Sequence, residues 1–445
     1  MSGSPQRRRL AALAATALVL GTTACTGSSG GGASDNPNAK TTITFWHGWS
    51  APSEMKAIQD NVDTFEKAHP NITVNVVGNI TDDKINQALR AGGPKAPDVV
   101  SSFTTDNVGE FCNSHAFVDL TPFMKQSGID PKATFPSAQL DYTQFQGNQC
   151  SLPLLSDAYG LYYNKKMFAA AGIKSPPKTL SEFDADAIKL TKSSGDSYSQ
   201  LGFMPNYHGY ETAIAHLAAG FNPTYFDANG KSTAGTDPGL KAAFVWQKNL
   251  VDSLGGYDKL ERYRTTFGDE FGSKNPFMTG QVAMAIDGEW RGGMIDASSS
   301  KVDYGTAPFP VPDNLASEYG KGYTSGTIIG IASTSQKQNA AWEFVKFLTT
   351  DTNAVVNFAN AIHNVPSTKA ALASPKVDQD PNFQTFLSIA QNPHSNTTPA
   401  SPNGGAYQLT LQNVGYGYES GKITDLQSAL DGAAKQIDTD IAQSQ

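Results

Sequence analysis

Several loops in this chain set flat aromatic rings beside carboxylates. Trp46-His47-Gly48-Trp49 follows a strand-like run, and Thr104-Thr105-Asp106-Asn107 follows another. Ser156-Asp157-Ala158-Tyr159 precedes a third, and Asp287-Gly288-Glu289-Trp290-Arg291 follows Val282 to Ile286. The chemistry these residue types suit is recognition of a pyranose, which has apolar C–H faces and a rim of hydroxyls. Trp and Tyr offer large contact area with a polar tip. Carboxylates accept hydrogen bonds from hydroxyls. Small-molecule sites are concave, with a few placed polar groups, and open α/β sheets bind ligands in the loops beyond their strands.

Each candidate has a competing structural reading. Trp49 lies beyond Gly48 and is expected to face a cleft with His47, whereas Trp46 either reaches the cleft or ends its strand in the core. Asp106 is either a ligand carboxylate or a helix N-cap. Asp157 and Tyr159 share one loop and are both expected at the ligand. In the Asp287–Arg291 loop Gly288 permits a tight turn, Trp290 is the principal stacking candidate, and Arg291 either holds ligand with Asp287 or pairs with Glu289. Gly322-Tyr323-Thr324-Ser325-Gly326 reads as a turn whose backbone at Ser325 and Gly326 approaches a ligand, or as a hinge. Tyr207-His208-Gly209-Tyr210 and Asn413 to Tyr418 read as aromatic loops on the cleft rim. Trp246 and Trp342 fall in helical patterns and read as core. No CxxC, Cys/His cluster or HExxH suggests a metal, no phosphate-binding glycine loop is present, and no cofactor is called for. A carbohydrate-active enzyme is the competing class. It would need two carboxylates set a defined distance apart across a bond, with Asp106, Asp157 and Asp287 as candidates.

The elements that must position these residues follow from periodicity. Thr42 to Trp46 is a strand, and Ser53 to Ala68 a helix whose Met55, Ile58, Val62 and Phe65 recur every three or four residues. Ile72 to Val77 is a strand, Asp82 to Ala91 a helix, and Pro97 to Val100 leads a third strand. This alternation predicts βαβ units on a parallel sheet. Further strands are expected at Gly160–Tyr163, Gly202–Met204, Val282–Ile286 and Ile328–Ala332. Helices are expected at Lys165–Ala171, Leu240–Asp252, Lys337–Leu348, Thr352–Ala361, Phe383–Gln391 and Ile423–Ile441, with one more opening at Thr179. A length of 445 residues exceeds one ordinary core and predicts two lobes. The net charge of −8, with no basic run outside the leader, argues against nucleic acid as a partner.

The N-terminus reads as an export signal. Arg7-Arg8-Arg9 precedes the apolar run Leu10 to Leu20, which is too short to span a bilayer. Small residues lead to Cys25. The segment resembles a bacterial lipoprotein signal peptide, although Thr22 stands where leucine is commonest. That resemblance implies cleavage after residue 24, lipidation of Cys25 and anchoring on the outer face of the cytoplasmic membrane. Paired arginines leave twin-arginine export open beside the general route. Residues 25–40 are small and polar and suit a flexible tether. Export into an oxidising compartment makes a Cys112–Cys150 disulfide reasonable, with two buried thiols as the alternative.

Four longer stretches carry a family resemblance. They are Ile43 to Trp49 with the helix ending Phe65-Glu66-Lys67-Ala68-His69-Pro70; Ala96-Pro97-Asp98-Val99-Val100; Leu161-Tyr162-Tyr163-Asn164-Lys165-Lys166-Met167-Phe168 running on to Ile173; and Phe277-Met278-Thr279-Gly280-Gln281-Val282-Ala283-Met284 through Asp287-Gly288-Glu289-Trp290. In this order they resemble the family 1 extracellular solute-binding proteins, sugar receptors of ABC importers. The resemblance implies an α/β, two-lobed periplasmic-binding-protein-like fold of type II, with a cleft closing by hinge motion. Lobe 1 is expected at 41–152 plus 327–362 and lobe 2 at 153–326 plus 363–445. It implies that Trp290 stacks on ligand and that Asp106 and Asp157 match ligand-contacting acids, with Asn107 in place of a neighbouring arginine. The implied partners are a sugar and an ABC permease, with the receptor a monomer and not an enzyme. A polyamine in the same fold is the alternative ligand.

Overall fold

The structure, a computed structural model, describes residues 40–93, 96–205 and 213–444. Cys25 with its signal peptide, the tether through residue 39, and Tyr207 to Tyr210 lie outside the described residues. Among the described residues no helix is long and apolar enough to cross a membrane.

Among the described residues nine strands are present: β1 (Thr41–Trp46), β2 (Ile72–Val77), β3 (Val99–Ser102), β4 (Leu152–Asn164), β5 (Lys192–Ser194), β6 (Ser197–Gln200), β7 (Met284–Gly288), β8 (Tyr304–Pro308) and β9 (Thr324–Ile331). The main sheet runs β2-β1-β3-β9-β4-β7, with β8 also paired to β4, and β5-β6 form a separate hairpin. The expected parallel pattern holds for β1 with β2 and with β3. Beyond that opening series the pairing changes: β3–β9, β4–β9, β4–β7 and β4–β8 are all antiparallel. β4 has 13 residues and runs about 40 Å at the usual strand rise. Residues 152–158 pair with β9, and residues 159–164 pair with β7 and β8.

β4 therefore feeds two separate cores. Leu152, Leu154 and Leu155 pack with Ile43, Phe45, Val62, Phe65, Ile329 and Phe344. Ala158, Tyr159, Leu161 and Tyr162 pack with Phe183, Phe203, Leu250, Met284, Ile286 and Phe386. A smaller cluster joins Ile214, Phe244, Tyr407, Leu411, Leu430 and Ile437. Trp246 and Trp342 are buried in the cores, as their helical spacing predicts.

Local chemistry explains the helices. Pro52–Ala68 begins with proline in its first turn, and the Glu54 carboxylate accepts the Ala51 N–H at 3.0 Å; it ends with Lys67 in the last turn, where a cation suits the carbonyl end of the helix dipole. Leu180–Leu190 is opened by Thr179 and Glu182, which accept each other's backbone N–H. The helices expected in the C-terminal third form at Gln338–Thr350, Thr352–Ile362, Pro381–Gln391 and Leu426–Gln443. Gly202 to Met204 is not a strand. Leu201 makes a single bridge to Val282, and a Cβ on Gly202 would fall 1.9 Å from the Ala187 carbonyl, so the glycine marks a close crossing.

Cys112 and Cys150 form a disulfide with Cα atoms 5.6 Å apart, within an apolar cluster of Val108, Phe111, Phe117 and Ile328. The bond closes a loop of 38 residues in sequence separation. Replacing both cysteines by alanine is expected to lower stability by about 3–4 kcal/mol through loop entropy in the unfolded chain. Denaturant melts of the variant and the oxidised parent measure this, and coincident midpoints would refute it.

Candidate ligand-binding site

The site is built where β4 passes from one core to the other. Alternation along the strand puts Asp157 and Tyr159 on one face. Asp157 lies opposite Ser325 on β9, and Tyr159 opposite Gly288 on β7. The Tyr159 ring stacks on His216, with centroids 4.1 Å apart. It meets Trp290 edge-on at 5.5 Å and Tyr323 at 5.4 Å. Tyr159, Tyr323 and His216 are buried, whereas Trp290 is half-buried. Trp290 is thus the ring that offers a surface. Tyr159, expected at the ligand, instead backs it from beneath.

Gly288 is required for a reason other than a turn. Its φ is not positive. A Cβ there would stand 2.3 Å from the Trp290 ring. The tryptophan lies across the bare Cα, and only glycine allows that approach. Trp290 Nε1 and Ser325 Oγ are buried with no hydrogen-bond partner among the described residues.

Two carboxyls meet beside this aromatic floor. Asn364 Nδ2 donates to Asp157 Oδ1 at 2.8 Å and to Glu289 Oε1 at 2.7 Å. The Ala158 N–H donates to Glu289 Oε2 at 3.0 Å. Burial pushes the Asp157 carboxyl up to about 6. It pushes Glu289 well above the carboxylate range, and the Asp157 charge adds to the effect. Glu289 and Asn364 carry no sequence signal of their own; Glu289 is half-visible as the middle of the Asp-Gly-Glu-Trp segment.

Asp287 and Arg291 are placed differently from expectation. Arg291 Nε donates to Asp287 Oδ2 at 2.5 Å, both side chains are buried, and the arginine is 1% exposed. They form an internal ion pair one helical turn apart, so Arg291 neither reaches a ligand nor pairs with Glu289. Burial raises Asp287 to about 6, and Arg291 opposes that shift.

On the other core, His47 is fully buried between Phe45 and Trp49. Burial lowers it to about 4, so it is neutral at physiological pH. Trp49 is 4% exposed and packs edge-on against Phe103 and Phe358. Neither His47 nor Trp49 faces a cleft. The exposed ring is Phe103, at 45%. It lies over Gly48, where a Cβ would come within 2.5 Å of it. Phe103 directly follows the buried strand β3, so the sequence disguises it as the strand's last core residue.

Asp106 precedes the helix Asn107–Asn113 but makes no capping hydrogen bond. Its carboxylate accepts from Gln408 Nε2 at 2.6 Å, and burial pushes it up to about 6. Gly405, with φ of 76°, lets the chain pass directly against the Asp106 side chain. Gln408 belongs to the helix Ala406–Glu419, which contains the whole Asn413–Tyr418 run. That run is therefore not an aromatic loop. Gly415 and Gly417 are contact points, where a Cβ would press on Phe244 and Ile423. Ser325 and Gly326 likewise lie within β9 rather than in a turn. A Cβ on Gly326 would meet the Leu155 carbonyl at 2.3 Å, so its bare face serves strand packing. Among the described residues no cluster of three or more His, Cys, Asp or Glu is placed to hold a metal ion.

A two-lobed α/β body with an aromatic and acidic site at the strand joining its cores is the architecture of a solute receptor. Residues 48–355 match the model of the bacterial extracellular solute-binding proteins, and the chain belongs to that family. It is 22% identical to the maltotriose-binding protein of Pyrococcus abyssi, over 82% of this chain and 74% of that protein. It is 25% identical to the maltodextrin-binding protein MdxE of Bacillus subtilis, over 96% of this chain and 95% of that protein. Its fold is similar to that of CpMnBP1 with mannotriose bound, with a TM-score of 0.74 at 24% identity, covering 89% of this chain and 99% of that one.

The two tryptophan-loop polar residues separate by experiment. Arg291→Met leaves Asp287 buried and unpaired, and is expected to cost about 3–5 kcal/mol of stability. Urea melts monitor it, and a loss below about 1 kcal/mol would show that the pair is not internal.

Proposed function

We propose that this protein is the capture subunit of an ABC importer and that its solute is a mono- or oligosaccharide. The observation that carries this reading is the half-buried Trp290 ring, held on Gly288 and backed by Tyr159, beside hydrogen-bonded carboxyls. An apolar sugar face stacks on such a ring, and its hydroxyls find acceptors around the edge. Phe103 and Asp106 supply a second ring and carboxyl from the other core. Relatives that bind maltotriose and maltodextrin, by their names, support the same solute class.

The hydrogen bonding of the carboxyls disfavours a polyamine. Asp157 and Glu289 already accept from the Asn364 amide, and Glu289 also from the Ala158 N–H, which leaves fewer acceptors for the two cations of a polyamine. A hydrolase is equally disfavoured. Its two carboxyls must flank a scissile bond, and here Asp157 and Glu289 both accept from the one Asn364 amide nitrogen. The lobes divide where β4 changes core between Leu155 and Ala158, near Ser325 on β9, and near Asn364. The whole body is tethered through lipidated Cys25 outside the cytoplasmic membrane, where closed receptor docks on its permease.

Titration calorimetry with maltotriose, mannotriose and spermidine tests the solute class. Heat with a sugar supports the reading, and heat only with spermidine overturns it. Trp290→Ala and Phe103→Ala are each expected to weaken sugar binding by about 1–3 kcal/mol, the scale of lost aromatic contact, while Trp49→Phe acts mainly on stability. The anchor is tested by Cys25→Ser in the full chain. The variant is expected in the culture medium rather than the membrane fraction.

A further inference from the structure

Three chain segments converge on one polar knot between the two cores. Asp157 comes from β4 at the point where it changes core. Glu289 comes from the turn after β7. Asn364 follows the helix Thr352–Ile362, whose C-cap His363 is left-handed. The single Asn364 amide nitrogen spends one hydrogen on each carboxyl. One nitrogen within 2.8 Å of Asp157 Oδ1 and 2.7 Å of Glu289 Oε1 sets the two carboxyls side by side, an arrangement that two ionised carboxylates disfavour and a proton between them relieves. Neither has an ion-pair partner among the described residues; the adjacent guanidinium of Arg291 is engaged by Asp287.

We propose that Asp157 and Glu289 hold a shared proton that locks the junction between the two cores, that Asn364 positions the pair, and that solute binding is consequently weakened as the proton is lost. Glu289 is buried and Asp157 half-buried, and two unprotonated carboxylates set side by side there repel each other and draw in water, which favours parting the segments that carry them. The last clause of the proposal rests on the receptor reading above; the lock itself does not.

The surroundings hold the proton in place. Tyr142, after the helix Ser137–Asp141, faces both carboxyls, and burial beside their charge keeps its phenol protonated. The Tyr162 hydroxyl of β4 donates to the Gly288 carbonyl at 2.9 Å and is likewise held neutral near Glu289. Tyr323 stands on the β9 side. Behind Glu289 lies a pocket of about 90 Å³ lined by Asp296, Tyr304, His363, Asp378 and Asp380. His363 is the imidazole lining that pocket, so it serves as the control for any pH effect. Burial raises both carboxyls above their unfolded values. The sign follows. The stabilising contribution is complete below about pH 4, where the unfolded carboxyls also bind protons. It is lost as pH rises through the raised values of the pair, Asp157 at about 6 and Glu289 well above its ordinary value.

The test compares the parent, Glu289→Gln, which imitates a permanently protonated carboxyl, and His363→Asn, which suits the left-handed backbone. Unfolding constants without ligand are measured from pH 6 to 9. Relative to Glu289→Gln, the parent is expected to lose stability by up to about tenfold in its folding constant per pH unit, and His363→Asn to follow the parent. Infrared spectra of the unaltered protein at pH 7 are expected to show a protonated-carboxyl stretch that vanishes at high pH. This second measurement needs no variant. Equal slopes in the parent and Glu289→Gln, a slope abolished by His363→Asn, or absence of the carboxyl stretch would each overturn the lock. With maltotriose as probe, affinity is expected to fall from pH 6 to 9 in the parent and stay level in Glu289→Gln. If maltotriose fails to bind at any pH while the stretch and the slopes are as stated, the solute reading is at fault and the lock stands.

Discussion

Everything about the site depends on the backbone pairing of β4. One unbroken strand hydrogen-bonds to β9 along its first half and to β7 and β8 along its second. Its early side chains complete one core and its late side chains another. A residue at the changeover belongs to neither core, so it can be polar without weakening either. Asp157 occupies that place. Its opposite neighbour in β9 is Ser325, and the strand next to it ends at Gly288. The ladder therefore delivers the carboxyl, the unpartnered hydroxyl and the bare Cα beneath Trp290 to adjoining positions, with no dedicated loop to hold them.

Close approach to glycine recurs as the device that shapes the binding surface. Trp290 lies on Gly288, and Phe103 lies on Gly48. In both cases the ring is supported on one face by backbone rather than by a side chain, which leaves the opposite face open. What lies behind each ring differs. Beneath Trp290 are Tyr159, His216 and Tyr323. Behind Phe103 stands Trp49, itself wedged against Phe358. Large buried aromatics thus serve as rigid backing for the two rings that meet solvent, and a rigid ring loses little entropy on stacking.

The overall plan was legible because periodicity and family-like stretches both depend on local patterns. The opening strand–helix–strand series is as expected, and so are the long C-terminal helices. What sequence could not supply was depth. Trp49 and Phe103 are both aromatics in post-strand loops, and choosing between them requires knowing which ring lies underneath. Arg291 and Asp287 are one helical turn apart, a spacing that allows pairing, yet the neighbouring Glu289 is an equally good partner until their directions are known. Glycines misled in two places. Gly415 and Gly417 suggested a loop but mark helix contacts, and Gly322 to Gly326 suggested a turn but open a strand. A glycine chosen for close packing and one chosen for a turn are identical in sequence. Asn364 was invisible for another reason, since its role exists only through two carboxyls 207 and 75 residues away.

The Cys112–Cys150 bond reaches further than the thermodynamics of the folded state. Cys112 lies on the short helix that follows Asp106, and Cys150 stands two residues before β4. The bond thus couples the segment bearing one candidate ligand carboxyl to the root of the strand bearing the other. A chain emerging from a translocation channel has both cysteines outside the membrane long before residues 323–445 arrive, so this staple can be set while β9, the strand that will separate those two segments, is still unmade. Oxidation then acts as an assembly cue: it presents a prearranged edge, β3 beside the start of β4, into which the late-arriving β9 inserts.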